Sequence, residues 1–144
     1  MKSEEVDSLM AAFGSAEPAW AIKAAARTYR LGLEAAAVVS GLGRNLEHPN
    51  PNVVAWSAIA LGQMGEVAAS SIPSLLSLLT HQHRFVRASV AAALGKLNAE
   101  QSVASLVSCL RDPEREVRAA AAKALLRIAS SDALAALRST HRTW

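Results

Sequence analysis

A chain of 144 residues that is 51% hydrophobic and 19% charged has the composition of a globular domain and not of a disordered segment. Its 15 basic and 12 acidic residues leave a formal net charge of +3, which permits an acidic partner but does not require nucleic acid. The single cysteine, Cys109, excludes an intramolecular disulfide and favours a reducing compartment.

The start of the chain does not read as a targeting signal. Residues 1–5 (MKSEE) are polar and acidic, and they lack the apolar stretch of a secretory signal peptide. No uninterrupted apolar run approaches the ~20 residues that a membrane-spanning helix requires. We therefore expect a cytoplasmic protein with no membrane partner.

The first predicted element is a capped helix from Ser3 to Phe13. Ser3 can act as its N-cap, and the acidic residues that follow suit the positive end of a helix. Helical spacing then gives the segment a single apolar face. That face consists of Val6, Leu9, Met10 and Phe13.

Further along the chain, one pattern recurs three times. Residues 53–65 align with residues 86–98 at an offset of 33, and these align with residues 117–129 at an offset of 31. Valine, alanine and leucine recur in register in all three copies. A degenerate fourth copy lies upstream, where Pro18 aligns with Pro51 and Gly32 aligns with Gly65. Such a period indicates a chain built from stacked structural repeats.

Each copy has the periodicity of an amphipathic helix. With Val86 as position zero, positions 4, 7, 8 and 11 form one apolar stripe, which consists of Val90, Ala93, Leu94 and Leu97. A shorter apolar helix is predicted before this one, at residues 71–79, and another at residues 103–110. Each repeat is therefore predicted to be a pair of helices.

Helix-breaking residues support these boundaries. Pro49, Pro51, the polar stretch 81–83 and Asp112-Pro113 separate the two helices of successive pairs. Glycine or asparagine is expected just past a helix C-terminus, and these residues close several repeats, at Gly32, Gly65 and Asn98. A last short helix is predicted at residues 131–138.

The repeat pattern resembles HEAT repeats, and more closely the short variety found in phycobilisome lyase-type HEAT proteins. The residues that carry the resemblance are Leu110-Arg111-Asp112-Pro113-Glu114-Arg115-Glu116-Val117-Arg118-Ala119-Ala120-Ala121 with Ala124-Leu125, and Val86-Arg87-Ala88 with Ala93-Leu94-Gly95. The resemblance covers roughly residues 16–129. It implies an α-solenoid, in which hairpins that cannot bury their own apolar stripes stack on one another.

Two features depart from the family pattern. The period is 31–33 residues instead of about 40–47. The aspartate that usually precedes Val-Arg is present only as Asp112, and its equivalents are His48 and His81. We therefore expect any Asp–Arg ladder between the repeats to be broken.

We predict an all-α fold, an armadillo-like α-solenoid of about four HEAT-like helical hairpins. The whole chain, residues 1–144, is predicted to form a single domain. Its repeats are predicted to span approximately residues 1–32, 33–65, 66–98 and 99–129, with a partial helix and tail at residues 130–144.

No pattern in the sequence indicates catalysis, a metal site or a cofactor. His48 and His81 share one repeat position, so stacking places them on the order of 10 Å apart, too far for one zinc ion. We expect them to be exposed loop histidines. HEAT-like di-iron hydroxylases carry repeated His-Glu pairs, and this chain has none. Cys109 lies among apolar residues and is expected in the core.

The exposed face of the second helices is the candidate binding surface, because repeats share one extended face. At positions −1, 3 and 6 it carries three large apolar residues, which are Trp56, Ile59 and Phe85. Such residues are favoured as interface anchors, although packing between repeats would also account for them.

The same face also carries a basic row at position 10, which consists of Arg30, Lys96 and Arg127. Lys23 at position 3 and Lys123 at position 6 join this row. This row is either an ordinary solvated helix face or a surface that attracts an acidic peptide or nucleic-acid phosphates.

We therefore predict a non-enzymatic protein-binding scaffold or adaptor that uses the shared face of its second helices. Its partner would be a protein or peptide, and an acidic one would fit. Two alternatives stay open: nucleic-acid binding through the basic row, and an accessory role in cofactor attachment, which the lyase-type resemblance implies. A homo-oligomer formed through the solenoid ends also stays open.

Overall fold

The computed structural model describes residues 35–140, and this part of the chain consists of helices and short turns without a strand. The α-helices, in chain order, are α1 (Ala35–Asn45), α2 (Pro51–Met64), α3 (Ile72–Ser77), α4 (Arg84–Lys96), α5 (Val103–Cys109), α6 (Arg115–Ile128) and α7 (Ser131–Thr140). The 3₁₀ segments Gly65–Ser71 and Leu78–Thr80 flank α3, and Glu100–Ser102 precedes α5. Helices predicted at residues 71–79, 103–110 and 131–138 are confirmed. The predicted helix at residues 3–13 and the degenerate copy ending at Gly32 lie outside the described residues.

The helices form three consecutive hairpins, α1–α2, α3–α4 and α5–α6. The second helices α2, α4 and α6 pack side by side, and α4 makes the most extensive contacts of all, with α2 on one side and α6 on the other. The shorter first helices lie against this row, and α7 packs on α5 and α6. This arrangement confirms the predicted all-α solenoid.

Equivalent residues of the alignment occupy equivalent places in the structure. Val53, Val86 and Val117 are each the third residue of a second helix, and they are 4%, 0% and 0% exposed. The same holds at position 8, where all three leucines are fully buried: Leu61, Leu94 and Leu125. The sequence repeat is therefore also a repeat of the core.

The second helices also end in the same way. Gly65, Asn98 and Ala129 share one repeat position, and all three have a positive φ, of 66°, 52° and 51°. A left-handed residue lets the chain leave the helix while its last carbonyls stay hydrogen-bonded, as in the bond from Ala129 N–H to the Leu125 carbonyl at 2.9 Å. The prediction that Gly65 and Asn98 follow helix ends is confirmed.

The second helices approach each other closely at two glycines. A Cβ placed on Gly62 of α2 would lie 2.9 Å from the Cα of Ala93 in α4. A Cβ placed on Gly95, the equivalent residue of α4, would lie 2.6 Å from the Cα of Ala124 in α6. Both distances are far below van der Waals contact, so these positions require glycine at this helix spacing.

We call the contact between two adjacent second helices a seam. The first seam, α2 against α4, lacks the Asp–Arg contact of the family pattern, and the second seam, α4 against α6, has it. Between α4 and α6, Arg87 binds Asp112 through two bonds, Nε to Oδ2 at 2.9 Å and Nη2 to Oδ1 at 3.1 Å. Between α2 and α4, the residue equivalent to Arg87 is the buried Val54, and the residue equivalent to Asp112 is His81. The ladder is therefore broken as expected, and Asp112, the one aspartate at this repeat position, forms the single contact among the described residues.

Candidate partner-binding face

The second helices present one side to solvent, and the repeat position decides which residues lie there. At position 10, Gln63, Lys96 and Arg127 are all exposed. At position 6, Lys123 is exposed and Ile59 is partly buried. We call this surface, with Trp56 and Phe85, the second-helix face. Lys23 and Arg30, the remaining residues predicted for it, lie outside the described residues.

Trp56 of α2 and Phe85 of α4 form an aromatic pair at one end of this face. Their ring centroids are 5.7 Å apart and their planes make an angle of 69°, an edge-to-face arrangement. Both side chains are partly buried and pack against the core. Such pairs contribute about 0.5–1.5 kcal/mol beyond the area that they bury. The rings therefore hold adjacent repeats together and still leave part of their surface accessible.

The other end of the face carries positive charge. Lys96 lies on α4 and Lys123 and Arg127 lie on α6, where a spacing of four residues makes them neighbours on the helix surface. None of the three forms an ion pair with another residue of the described range. All three residues are exposed.

Two other cations of the second helices, Arg84 and Arg87, form ion pairs. Arg84 contacts Glu114 at 3.4 Å and Glu116 at 3.1 Å, and Arg87 contacts Asp112 at 2.9 Å. Glu116 occupies the repeat position of Phe85, and its ion pair with Arg84 offsets its negative charge. Hence the second-helix face has an apolar end and a basic end, with little uncompensated acid between them.

The histidines of the turns have a structural role that the sequence did not reveal. The Nδ1 of His48 accepts a hydrogen bond from Asn50 N–H, and the Nδ1 of His81 accepts one from His83 N–H, both at 3.0 Å. Asp112 Oδ1 accepts the equivalent bond from Glu114 N–H at 2.9 Å. His81 is also partly buried, so the expectation that it is an exposed loop histidine was wrong. The shared repeat position with Asp112 was the signal for this role.

Cys109, the last residue of α5, lies close to Asp112 in the turn between α5 and α6. Cys109 is 7% exposed, and burial, together with the charge of Asp112, raises the pKa of its thiol. A protonated buried thiol packs as a small apolar group, as predicted. Burial alone would raise the pKa of Asp112, but hydrogen bonds from Arg87 and from the Glu114 N–H lower it. Asp112 therefore remains a carboxylate at neutral pH.

The residues of the described range do not assemble a metal-binding group. No three histidine, cysteine, aspartate or glutamate side chains between residues 35 and 140 converge on one point. Within the same range, no helix has both the length and the apolar character needed to cross a membrane.

Comparisons with known proteins place the chain in a family. The HEAT repeat family matches residues 6–94 and again residues 72–143. The chain belongs to the HEAT repeat family. HEAT repeats generally form protein-interaction scaffolds.

Among solved structures, the chain resembles the crystal structure of an engineered protein from the Northeast Structural Genomics Consortium. The TM-score is 0.65 at 22% identity, and the match covers 98% of this chain and 69% of that chain. At that identity the likeness concerns the fold alone. No curated protein matches the chain.

Proposed function

We propose that the chain is a non-enzymatic scaffold that holds a partner protein on the second-helix face. The observation that carries this proposal is the composition of that face, an accessible aromatic pair at one end and three cations without ion-pair partners in the described range at the other. The stacked helices hold both ends in fixed positions, so a ligand can meet them together.

The apolar end supplies the anchor for such a partner. Tryptophan and other aromatics contribute much of the binding energy in protein interfaces. The edge-to-face contact between Trp56 and Phe85 already restricts both rings, which reduces the side-chain entropy that a partner must order on binding. Ile59, one helical turn from Trp56, widens the apolar area. A large apolar side chain of the partner fits this end.

The basic end determines the sign of the partner's charge. Lys96, Lys123 and Arg127 attract aspartate and glutamate, which accelerates association and disfavours basic partners. The ligand that this face suits best is an acidic segment of a protein that also carries an aromatic or large aliphatic residue.

Nucleic acid is the second candidate, because phosphates would meet the same three cations. Its binding should weaken steeply with salt, since each neutralised phosphate releases counterions. Protein binding that depends on the aromatic pair should keep most of its affinity at high salt. The apolar end favours a protein. Nucleic-acid bases stack on free ring faces, whereas Trp56 and Phe85 already pack against each other and against the core.

A selection from a random peptide library tests the proposal directly. We expect the enriched peptides to combine acidic residues with an aromatic or large aliphatic residue. Their affinity should fall at least about tenfold for Trp56→Ala and for the double variant Lys96→Glu/Lys123→Glu, because each change removes one end of the site. A labelled single-stranded oligonucleotide should bind more weakly than the selected peptides at 0.15 M salt.

The matched control is Arg111→Glu, which makes the same kind of charge change at an exposed residue of the turn between α5 and α6, a position that is not part of the second-helix face. It should bind the peptides like the unaltered chain. Equal losses in Arg111→Glu and in Lys96→Glu/Lys123→Glu would contradict a site on this face. So would enriched peptides that lack acidic residues.

A further inference from the structure

The turn between α3 and α4 is held by two consecutive imidazole acceptors. His83 N–H donates to Nδ1 of His81 at 3.0 Å, and Phe85 N–H donates to Nδ1 of His83 at 3.3 Å. His83 is the N-cap of α4, so the second bond satisfies one of the free amides at the start of that helix. The segment that leads into Phe85 therefore depends on two histidine lone pairs.

An imidazole accepts a hydrogen bond at Nδ1 only while that nitrogen carries no proton. In the neutral ring the proton must then sit on Nε2, and in the imidazolium both nitrogens are donors. Protonation of His81 or His83 thus removes the acceptor and places a positive charge at the positive end of α4. Both effects destabilise the turn.

The other two repeats build this turn with partly different groups, although His48 before α2 accepts the Asn50 N–H at 3.0 Å just as His81 accepts the His83 N–H. Asp112 replaces His81 in the turn before α6, where its carboxylate accepts the Glu114 N–H at 2.9 Å. Asn50 replaces His83 at the start of α2, where its amide oxygen accepts the Asn52 N–H at 3.0 Å. An amide does not titrate, and hydrogen bonds from Arg87 help to keep Asp112 ionised. Only the turn before α4 relies on titratable bases at both positions within the described range.

Charges of both signs surround this turn. Arg87 donates from Nη1 to the carbonyls of His81 and Gln82 at 2.8 Å and 3.1 Å. The charged and titratable groups around the turn are His83, Arg84 and Arg87 on the α4 side, Cys109 and Asp112 before α6, and Glu114 and Glu116 at its start. The acids among them are engaged by Arg84 and Arg87. Burial, followed by the charges of His83 and Arg87, lowers the pKa of His81.

We propose that the turn at residues 81–83 is a proton-sensitive joint, which holds the start of α4 when both imidazoles are neutral and releases it when they are protonated. The direction of the pH dependence follows from the linkage between proton binding and folding. Because the folded turn lowers the pKa of His81, this residue contributes full stability above its unfolded-state pKa of about 6.5, and that contribution falls as the pH drops below this value. Asp112 stays charged over the same interval, so the turn before α6 does not respond.

The joint would regulate the second-helix face, a consequence that rests on the function proposed above. Phe85 is the second residue of α4 and receives its position from the His83 cap, and its ring contacts Trp56. Release of this cap frees the ring of Phe85 and disorders the apolar end of the face. Mild acid would therefore weaken partner binding while the solenoid stays folded.

Amide hydrogen exchange, followed by NMR on the ¹⁵N-labelled chain, tests the joint without any partner. Between pH 7.5 and pH 5.5, protection of the His83 and Phe85 amides should fall roughly tenfold after correction for intrinsic exchange, the effect of losing one hydrogen bond each. Protection of the Glu114 and Asn52 amides should stay constant. Equal protection of His83 and Phe85 at both pH values would overturn the proposal.

The chain itself supplies the matched variants. His81→Asp installs the residue of the third turn, and His83→Asn installs the cap of α2. His81→Asp should abolish the pH response at the His83 amide, and His83→Asn should abolish it at Phe85. A response that persists in both variants would contradict the joint.

A measurement on the unaltered chain covers the case in which a variant fails to fold. The ¹⁵N shifts of the imidazoles at pH 7.5 should place the proton of both rings on Nε2. A proton on Nδ1 of His81 would refute the proposal. These readouts do not involve a ligand, so their failure is distinct from a failure of the peptide-binding experiment.

Discussion

The two seams between second helices, α2 against α4 and α4 against α6, share one contact and differ in the rest. Both have a glycine on the earlier helix that faces an alanine on the later one, Gly62 with Ala93 and Gly95 with Ala124. This contact sets how closely the helices approach. It recurs because it fixes the geometry of the stack.

The lateral contacts of the two seams are chemically different. The first seam carries the Trp56–Phe85 pair and has the apolar Val54 where the second has Arg87. The second seam carries the part-buried pair of Arg87 with Asp112 and the exposed contacts of Arg84. The fold accommodates either an aromatic pair or ion pairs at the edge of a seam, so the packing of the helices does not dictate which residues lie there. The first seam is the one that offers accessible aromatic surface.

The largest loss of stability is expected from breaking the ion pair of the second seam. Side chains of Arg87 and Asp112 are only 13% and 10% exposed, so Arg87→Ala leaves a part-buried carboxylate without its cation. We expect the free energy of unfolding, measured by urea denaturation, to fall by about 3 kcal/mol. The control is Arg84→Ala, whose side chain is 60% exposed and should lose less than about 0.5 kcal/mol. Similar losses would contradict the difference between the two arginines.

The same pair should give the second seam an acid-sensitive component. Interactions with Arg87 hold the pKa of Asp112 below its ordinary value. Its contribution is therefore present above the unfolded-state pKa of about 3.9 and is lost as the pH falls through the lowered folded-state value. Urea denaturation between pH 5 and pH 2 should show a shallower pH dependence for Arg87→Ala than for the unaltered chain. If stability fell with pH equally in Arg87→Ala and in the unaltered chain, the acid-sensitive contribution of this ion pair would be contradicted.

The contact that the two seams share can be broken on either side. Gly95→Ala should destabilise by about 2 kcal/mol through overpacking against Ala124, and Gly62→Ala should cost less because its contact is looser. Gly43 in α1 is the control, because a Cβ there meets nothing within 4 Å. Gly43→Ala should stabilise by up to about 1 kcal/mol through helix propensity. If thermal denaturation showed Gly43→Ala to be the most destabilised variant and Gly95→Ala the least, the close approach of the second helices at these glycines would be refuted.

Helix α2 of the first seam also contains a buried polar group that can be removed. Ser57 is fully buried and its hydroxyl has no hydrogen-bond partner, whereas Val90 and Ala121 occupy the equivalent place in α4 and α6. Ser57→Ala should raise the free energy of unfolding by about 1 kcal/mol, since it removes a desolvated polar group. The variant should bind the selected peptides unchanged, and a loss of stability would mean that the hydroxyl is satisfied.

The smallest effect is expected at the ends of the second helices. Ala129 adopts a left-handed backbone, with φ 51° and ψ 26°, and Gly65 at the equivalent position also has a positive φ, of 66°. Ala129→Gly should stabilise by about 0.5–1 kcal/mol because glycine carries no Cβ penalty there, and Gly65→Ala should act in the opposite direction. Effects of the same sign in calorimetry would contradict the equivalence of these two helix ends.

Much of the fold could be predicted from the sequence, because the repeat makes each position visible several times. The buried valines, the helix ends at Gly65 and Asn98, and the short helices all followed from period and composition. The exposure of the position 10 residues followed from the same register. The edge-to-face geometry of Trp56 and Phe85 did not, because helical spacing assigns a face but not a rotamer.

The turn contacts were harder to predict for a different reason. Arg87 reaches Asp112, 25 positions away, and this contact depends on how two repeats are offset in space. The role of His81 as an acceptor was missed because histidine was weighed as a metal ligand or an exposed residue. Its alignment with Asp112 pointed to the correct chemistry, a group that accepts the amide two residues later.

The central claim is that a partner lies across α2, α4 and α6, and NMR mapping of a selected peptide on the ¹⁵N-labelled chain tests it most directly. The account predicts that shift changes concentrate at the Trp56 indole N–H and at the backbone amides of Phe85, Lys96 and Arg127. Changes centred on the first-helix layer, for example at Ser105 of α5, would contradict it.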